Sequence, residues 1–360
     1  MTVRPAGHRT ARLSRRFGRR SVTSALAITA VLGLGVAGLG QASTAAADQD
    51  KGTASRSDPL PAGYFLGIDG IVHPAANIVI GGADGMLFLG QDFDTACADG
   101  ASFKKGLKGL AKLITVIEKS GRTAMFTIAP NKSSAKPDEV ADTLPHGPCD
   151  AVGLERQQRL LDSFHRGNYV PLRKKLSKTD YPYWLTDAHW STVGASVMAE
   201  QVAGELSKKL KKRQRYVRTQ RTRIGDLATY INQPTPETAP AKLPHNGVKT
   251  SPAPGSDAYD PTFQTLQPDN SWVSLPAGKT WRGHTLLLGD SFMYTALEPM
   301  RNLFNRGRYL WVGNNSVNTV LGAIRDSDTV VIEVVQRFVS TTALATPTFR
   351  RQVAQTLAAG

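Results

Sequence analysis

Short apolar segments alternate with helical patterns along this chain, and this alternation limits the fold more than any other feature. The segments that predict strands are 85–90, 123–128, 285–288, 309–312 and 329–335. Apolar residues at helical spacing predict helices from residue 102 and at 154–165, 192–212 and 294–305. Continuous apolar strands separated by helices are typical of a parallel sheet that is covered on both faces. The sequence therefore predicts an α/β fold.

Residues 1–47 are predicted to be a signal peptide and are set aside from the fold. They contain seven arginines and no acidic residue, then an apolar stretch over 25–40 and an A-x-A cleavage pattern at 45–47. Paired arginines at 15–16 and 19–20 suit both a twin-arginine and a general secretory route. The alternative, an uncleaved anchor, needs about 20 apolar residues, and this glycine-interrupted stretch is shorter. We expect an extracytoplasmic protein.

The remaining chain is predicted to form one domain over 62–345, after a polar linker at 48–61 and before a C-terminal tail at 346–360. Prolines are frequent and periodicity is weak from about 233 to 279. A long irregular segment inside a compact domain is either functional or mobile. We expect an insertion there, which forms either a lid over the site or a disordered surface excursion.

Basic residues exceed acidic ones, and much of the excess is local. The chain has 44 Lys and Arg against 29 Asp and Glu, a net charge of +15, which falls to +8 without residues 1–47. Nine cations lie between Lys208 and Arg223. Such a run suits an anionic polysaccharide or a phospholipid surface, but also a solvated helix end whose cations match the dipole. Export and the lack of a recognisable binding module argue against nucleic acid as a partner.

The chain has two cysteines, Cys97 and Cys149, and we expect them to form a disulfide in an oxidising compartment. A closed loop of this length would stabilise the fold by about 4 kcal/mol. The histidines show no metal-ligand spacing, so the sequence predicts neither a metal nor a cofactor.

Two short motifs supply candidate catalytic residues. Ser291 follows an apolar run and a Gly-Asp turn, where a strand-to-helix junction would expose a nucleophile. Asp187 and His189 are two residues apart, so the carboxylate can orient the imidazole while its other nitrogen takes the serine proton. The structural alternative is that the Asp-Ser pair and the Thr-Asp pair at 186–187 cap helices and that His189 is a packing residue.

Six segments in succession, at 82–88, 129–133, 186–190, 225–227, 288–292 and 331–337, form a larger pattern. They resemble the G-x-D-G-W-L-F, P-x-K, T-D-x-H-W, G-D-L, L-G-D-S-F and E-x-x-x-R segments of the SGNH-hydrolase-like domain of alginate O-acetyltransferases of the AlgX/AlgJ type. Met86 stands where that family usually has Trp. The resemblance covers most of the chain from residue 82 to residue 337.

The resemblance implies a flavodoxin-like parallel sheet with helices on both faces, and a motif order permuted relative to ordinary SGNH esterases. It implies that Ser291, His189 and Asp187 form a triad that accepts an acetyl group and passes it to a sugar hydroxyl. The partners would be a polysaccharide acceptor, anionic in one interpretation, and a membrane-bound acyltransferase that delivers the acetyl group. An acetyl esterase with the same triad and a non-catalytic glycan-binding component of an export complex are the alternatives.

Further site residues are predicted by position. The Ser291 N–H is a natural oxyanion donor, and Asn314 or Asn315 could supply the asparagine that ordinary SGNH enzymes add. Arg337 would contact an anionic substrate or pair with Glu333 one helical turn away. Lys132 is assigned the same two alternatives.

Overall fold

The computed structural model describes residues 64–66, 72–74, 79–97, 100–140, 144, 147–254, 256 and 269–359. The predicted signal peptide and the predicted linker lie outside these residues. In the described part of the chain, no helix has the length and apolar character needed to cross a membrane.

The strands are β1 Tyr64–Leu66, β2 Val72–Pro74, β3 Val79–Gly81, β4 Leu87–Leu89, β5 Thr123–Ala129, β6 Tyr169–Val170, β7 Tyr216–Ile224, β8 Pro236–Pro244, β9 Lys249–Pro252, β10 Asp269–Leu275, β11 Trp281–Gly289, β12 Phe304–Trp311 and β13 Thr329–Val335. The helices are α1 Gln91–Cys97, α2 Gly100–Glu118, α3 Lys132–Ala135, α4 Pro148–Ser163, α5 Arg173–Ser177, α6 Thr192–Leu206, α7 Lys208–Arg213, α8 Asp226–Tyr230, α9 Ser291–Thr295, α10 Leu297–Arg301, α11 Val317–Arg325 and α12 Pro347–Ala358.

A seven-stranded sheet in the order β6-β5-β13-β11-β12-β10-β9 forms the centre of the fold. Five neighbouring strands, β6, β5, β13, β11 and β12, are parallel. In contrast, β10 pairs antiparallel with both β12 and β9. The predicted α/β class and its SGNH-hydrolase-like sheet are confirmed. The sheet is mixed and not wholly parallel, because β10 runs antiparallel to the core strands and also pairs antiparallel with the edge strand β9.

Helices cover both faces of this sheet, as predicted. Side chains of β13 alternate: Val331 and Val335 pack with α6, α9 and α10, while Val330, Ile332 and Val334 pack with α2, α11 and α12. Because successive strand residues point to opposite faces, this strand, in which every residue is buried, is covered on both sides.

Two predicted helices are each divided into two in the structure. The segment 192–212 is two helices, because Ser207 has extended backbone with φ −169° and caps α7 by accepting hydrogen bonds from two N–H groups. The segment 294–305 is also divided, into α9 and α10, and its last two residues belong to β12.

The proline-rich segment 233–279 is not an irregular loop in its described part. β8 pairs along its whole length with β7, and β9 and β10 join the central sheet. Prolines are tolerated in β8 because the β7–β8 ribbon has only two strands, so each has a free edge. The basic run likewise extends beyond a helix end, since its last arginines lie on β7.

The predicted disulfide between Cys97 and Cys149 is confirmed and joins the end of α1 to α4. The segment 346–360 contains α12, whose Phe349 and Val353 are buried against the same core as α2.

Candidate active site

The predicted nucleophile lies at the turn that joins β11 to α9. β11 ends at Gly289, Asp290 is the N-cap, and Ser291 is the first residue of the helix. The Asp290 carboxylate accepts a hydrogen bond from the Phe292 N–H at 2.9 Å. Because β11 is the central strand of the sheet, the turn places Ser291 at the carboxyl edge, where open α/β sheets bind ligands.

A buried carboxyl group on the neighbouring strand β13 fixes this turn. Glu333 Oε2 accepts hydrogen bonds from the Asp290 N–H at 3.2 Å and the Met293 N–H at 3.1 Å. Residue 289 must be glycine here, because a Cβ would lie 2.7 Å from Glu333 Oε2. Burial, and then the Asp290 carboxylate, raise the pKa of Glu333 well above its usual value, which favours the neutral acid.

These bonds leave one N–H of the turn for other use. The N–H groups of Asp290, Phe292 and Met293 all donate to carboxyl oxygens. Within the part of the chain that the structure describes, the Ser291 N–H has no acceptor. It is therefore available to an oxyanion that forms beside Ser291 Oγ.

The structure brings the three predicted triad residues into one chain of hydrogen bonds. His189 Nε2 lies 2.8 Å from Ser291 Oγ, and His189 Nδ1 lies 2.8 Å from Asp187 Oδ1. An ionised carboxylate only accepts hydrogen bonds, so Nδ1 carries the proton and Nε2 is free to accept that of the serine. The imidazole also packs against Phe292, with ring centroids 4.9 Å apart. This geometry suits a hydroxyl nucleophile beside an oriented base.

Asp187 is fully buried, yet its surroundings favour the ionised form. Burial raises its pKa, but His189 and Arg223 outweigh burial, and the net pKa lies well below the usual value. Arg223 Nη2 is 2.7 Å from Asp187 Oδ2, and the Asp226 N–H donates to the same oxygen at 3.3 Å. The carboxylate is thus held by its partners and presents Oδ1 to His189.

A second carboxylate, Asp226, also faces the imidazole. Its Oδ2 lies 3.4 Å from His189 Nδ1, and its Oδ1 accepts a hydrogen bond from the Ala188 N–H at 2.8 Å. Burial and the negative charge of Asp187 raise the pKa of Asp226. Asp187 makes the shorter contact and is the principal partner of His189.

Asp187, His189 and Asp226 also form a group with the potential to hold a metal ion, since their ligand atoms all lie within 4.8 Å of one another. The Arg223 guanidinium already provides positive charge at Asp187. A cation there would compete with Arg223 for the Asp187 carboxylate and with the proton on His189 Nδ1, the nitrogen that faces both carboxylates. These contacts favour a hydrogen-bonded chain over a metal site.

Buried side chains hold the segment that carries the base. Lys132 Nζ donates hydrogen bonds to the carbonyl oxygens of Leu87 and Leu185, both at 2.7 Å, and of Asp187 at 3.2 Å. Lys132 is 1% exposed, and burial lowers its pKa to about 7 against the opposing charge of Asp187. The predicted roles of Lys132 in substrate contact or ion pairing are wrong, because its ammonium group is enclosed by these carbonyl groups.

Glu237 of β8 holds the same segment from its other side. Its Oε1 accepts a hydrogen bond from the Leu185 N–H at 2.7 Å. Its Oε2 accepts bonds from the N–H and the hydroxyl of Thr186, both at 2.9 Å. The proline-rich segment therefore contributes directly to the position of the neighbouring Asp187.

Arg337 lies behind the nucleophile turn. Its Nη1 is 3.3 Å from Asp92 Oδ1, and its guanidinium lies between the rings of Phe292 and Phe338, at 5.4 and 5.3 Å from their centroids. Burial raises the pKa of Asp92 to about 6, against the effect of Arg337. The predicted pair with Glu333 is wrong. β13 is extended as far as residue 335, and the Glu333 carboxyl group accepts the Asp290 and Met293 N–H groups, whereas Arg337 pairs with Asp92.

The two predicted asparagines follow β12, which neighbours β11. The Asn315 amide donates a hydrogen bond to the Trp311 carbonyl oxygen at 3.0 Å, and Asn314 is exposed in the same turn. The turn reaches the nucleophile strand through the Val312 N–H, which donates to the Gly289 carbonyl oxygen at 3.0 Å. The role of either asparagine as an oxyanion donor stays a prediction, as does substrate contact by Arg337.

Sequence reasoning missed Asp92, Arg223 and Glu237 as members of the site. Arg223 was part of a basic run that predicts a charged surface, although the alternate spacing of Arg221 and Arg223 is typical of a strand. Glu237 carried no signal at all among the surrounding prolines. Asp226 was marked only by its place in the Gly-Asp-Leu segment, without a role.

Comparison with known proteins places this fold in a family. Residues 79–271 match the family described as the SGNH hydrolase-like domain of acetyltransferase AlgX. A search of curated proteins gives no match.

Among solved structures, PatB1 of Bacillus cereus is similar with a TM-score of 0.54 and 14% identity, over 75% of this chain and 99% of that chain. The O-acetyltransferase domain of Pseudomonas putida AlgJ has a TM-score of 0.48 and 15% identity, over 77% of this chain and 98% of its own. Pseudomonas aeruginosa AlgX has a TM-score of 0.45 and 13% identity, over 78% of this chain and 66% of its own. At this level of identity, the likeness to PatB1 shows a shared fold.

Proposed function

The chain belongs to the family of SGNH hydrolase-like domains of acetyltransferase AlgX, and on this premise we propose that it is an exported polysaccharide O-acetyltransferase. The observation that carries the proposal is the hydrogen-bonded chain from Asp187 through His189 to Ser291, with both contacts of the imidazole at 2.8 Å. A glycan-binding component without catalysis would have no use for a buried carboxylate that orients a base toward a half-buried serine.

The first half of the reaction transfers the acetyl group to the enzyme. Ser291 Oγ attacks the carbonyl carbon of a donor acetyl ester while His189 Nε2 takes the hydroxyl proton. The carbonyl oxygen becomes an oxyanion, for which the Ser291 N–H is the available donor. The tetrahedral intermediate collapses as His189 returns its proton to the leaving oxygen of the donor. An acetyl ester on Ser291 remains.

The second half delivers the acetyl group to a sugar. His189 Nε2 removes the proton of a sugar hydroxyl, whose oxygen attacks the carbonyl carbon of acetyl-Ser291. Collapse of the second tetrahedral intermediate returns the proton to Ser291 Oγ and releases the acetylated glycan. Throughout, Asp187 keeps Nδ1 protonated and stabilises the imidazolium that forms twice in the cycle.

The proposal includes partners and a location. The acceptor is a cell-surface or secreted polysaccharide, and the acetyl group comes from a membrane-bound acyltransferase. The Cys97–Cys149 disulfide supports an oxidising compartment outside the cytoplasm. The arginine-rich start of the chain supports export by a signal peptide.

The test incubates the purified protein with 4-nitrophenyl acetate, with and without a panel of oligosaccharides, beside Ser291→Ala and a control, Ser316→Ala. Ser316 is an exposed serine that caps α11 and takes no part in the hydrogen bonds of the triad. We expect acetylated oligosaccharide from the wild type and from the control, and none from Ser291→Ala.

Unchanged turnover in Ser291→Ala would refute the nucleophile. Release of acetate without acetylated sugar across the whole panel would refute transfer and identify an acetyl esterase, since water then replaces the sugar in the second step.

A further inference from the structure

A cleft of about 430 Å³ lies beside β8, away from the triad. It is bounded by the segment 178–181, by Val193 near the start of α6, and by side chains of the β7–β8 ribbon. The volume falls within the range of small-molecule sites in proteins. The groups that line it determine what it would hold.

Cations without acidic partners line this cleft. Arg218 and Lys242 are directly opposite each other in the β7–β8 register, and Lys178 adds a third positive charge. Like charges opposite each other destabilise a strand pair. Asp180 is the one acid among the lining residues, and among the described residues neither Arg218 nor Lys242 forms an ion pair.

The other two arginines of β7 provide an internal comparison. Arg221 Nη1 lies 2.7 Å from Glu298 Oε2, and Arg223 Nη2 lies 2.7 Å from Asp187 Oδ2. Their side chains are half-buried, whereas that of Arg218 is exposed. The strand therefore pairs the arginines that face the body of the protein and leaves the one at the cleft available to a ligand.

An aromatic side chain stands beside the cations. Tyr181 is 50% exposed and has a φ of 52°, in the left-handed region that a bulky residue rarely adopts. Its carbonyl oxygen accepts a hydrogen bond from the Ser191 hydroxyl at 2.5 Å, which holds the strained residue in place. Strained residues of this kind concentrate at binding sites. An exposed ring next to cations offers a sugar both a flat apolar face and charge complementarity.

The cleft is connected to the triad by one strand. Glu237, near the start of β8, holds the Leu185 and Thr186 N–H groups beside Asp187. Lys242, five residues later, lies at the cleft, where its N–H donates to the Thr192 hydroxyl at 3.1 Å. Five extended residues span about 17 Å. A polymer of several sugar units has the length needed to extend from the cleft past this strand to the triad.

We propose that this cleft is a second binding site, which holds a negatively charged sugar unit of the acceptor polysaccharide away from the hydroxyl that is acetylated. This inference rests on the proposed function for the identity of the polymer. A concave cleft with an aromatic wall suits a sugar ring better than a flat lipid surface. Binding here would position the polymer so that a hydroxyl group several units away reaches Ser291.

The experiment measures binding of the hexamer of galacturonic acid by calorimetry, with maltohexaose as the neutral control. The wild type is expected to bind the anionic hexamer, more weakly as salt rises, and to bind maltohexaose at least about ten-fold more weakly. The double variant Arg218→Ala, Lys242→Ala is expected to raise Kd at least about ten-fold. Tyr181→Ala should weaken binding about five-fold through loss of the stacked ring.

The matched control is Lys209→Ala, Lys212→Ala, which removes the same charge from exposed positions on α7 of the same basic run. We expect its Kd to change by less than about two-fold. Equal weakening by both double variants would overturn the proposal, because the effect would then be one of net charge. Absence of hexamer binding, or binding of anionic phospholipid vesicles that depends on Arg218 and Lys242, would also overturn it.

A kinetic arm separates this inference from the proposed function. The cleft variants are expected to raise KM for the anionic hexamer and to leave 4-nitrophenyl acetate turnover without acceptor unchanged. If Ser291→Ala keeps full ester turnover, the proposed function fails while the binding result stands. If Ser291→Ala is inactive and the cleft variants bind the hexamer normally, the second site fails alone.

Discussion

The two halves of the candidate active site are built differently. Ser291 stands at the end of the central strand, and its turn is held by Glu333 of the adjacent parallel strand. His189 stands in an irregular segment that Lys132 and Glu237 hold from separate parts of the chain. The position of the nucleophile therefore follows from sheet register, and that of the base from a set of buried charged side chains. Changes to single side chains should disturb the base more than the nucleophile.

The largest effect should appear where the base is oriented. Asp187→Asn is expected to lower kcat for acetyl ester turnover about a thousand-fold, because an amide donor at Nδ1 favours the wrong tautomer. Asp226→Asn should lower kcat only about ten-fold, since its contact with Nδ1 is longer. Steady-state kinetics of both variants, at matched folded fractions, checks this order. Equal losses would mean that the two carboxylates share the role.

The next effect concerns the side chain that holds the base segment. Lys132→Met removes the donor to three carbonyl groups and is expected to lower the free energy of unfolding by about 3 kcal/mol. Displacement of His189 should lower kcat about a hundred-fold. Chemical denaturation and kinetics measure both, with Lys108→Met on the exposed side of α2 as the control. Wild-type kcat in Lys132→Met would show that the base segment does not depend on this ammonium group.

The same lysine gives stability a pH dependence. Its pKa is 10.5 in the unfolded chain and about 7 in the folded protein, so between these values the unfolded state binds more protons. The free energy of unfolding should therefore rise with pH from about 7 to about 10, by up to about 1.4 kcal/mol per pH unit. Urea unfolding at several pH values measures this rise. The rise with pH should be absent in Lys132→Met. A rise that persists in this variant would be due to another titratable group.

On the nucleophile side, variants of Glu333 separate the need for a hydrogen-bond acceptor from the need for a negative charge. Glu333→Gln keeps an oxygen to accept the two N–H groups and stays neutral, so kcat should remain within about three-fold. Glu333→Ala leaves both N–H groups without an acceptor and should lower kcat about thirty-fold. Because burial raises its pKa, wild-type Glu333 ionises at a higher pH than an ordinary carboxyl group, and its charge would then oppose the oxyanion and lower kcat. Glu333→Gln should lack this fall in kcat. Equal losses in both variants would show that the carboxylate form is needed.

The smallest effect on activity is expected at the disulfide, which lies in neither half. Cys97→Ser with Cys149→Ser opens a loop of 52 residues in sequence separation. The free energy of unfolding should fall by about 4 kcal/mol in the chain-entropy treatment. Below the unfolding transition, kcat should stay within about two-fold, which calorimetry and kinetics can establish together. A large fall in kcat of the folded variant would show that the disulfide holds α1, and with it Asp92, in the position that the site needs.

The same contrast explains what the sequence could predict. The strand at 329–335 was predicted with its observed limits, and Ser291 was placed at a strand-to-helix turn, because both depend on local apolar runs and turn residues. Asp187 and His189 could be paired for the same reason, being two residues apart. The parallel core of the sheet followed from the alternation of such elements.

What the sequence could not predict depends on contacts between distant segments. The role of Glu237 could not be predicted because frequent prolines predict an irregular loop. In the structure, β8 pairs with β7 in a ribbon, and its Ala239 and Ala241 are buried. Lys132 was assigned either substrate contact or an ion pair, and only the three converging carbonyl groups reveal its place, since a lysine is rarely buried. Arg337 was paired with the wrong acid because helical spacing was assumed where the strand continues.

Chemical modification tests most directly whether Ser291 is the nucleophile and whether His189 activates it. The protein is treated with phenylmethylsulfonyl fluoride, and the rate and site of modification are read by intact mass and peptide mapping. We predict a single adduct on Ser291, formed at least about a hundred-fold more slowly in His189→Ala. An adduct on another residue, or equal rates in the wild type and His189→Ala, would contradict the account.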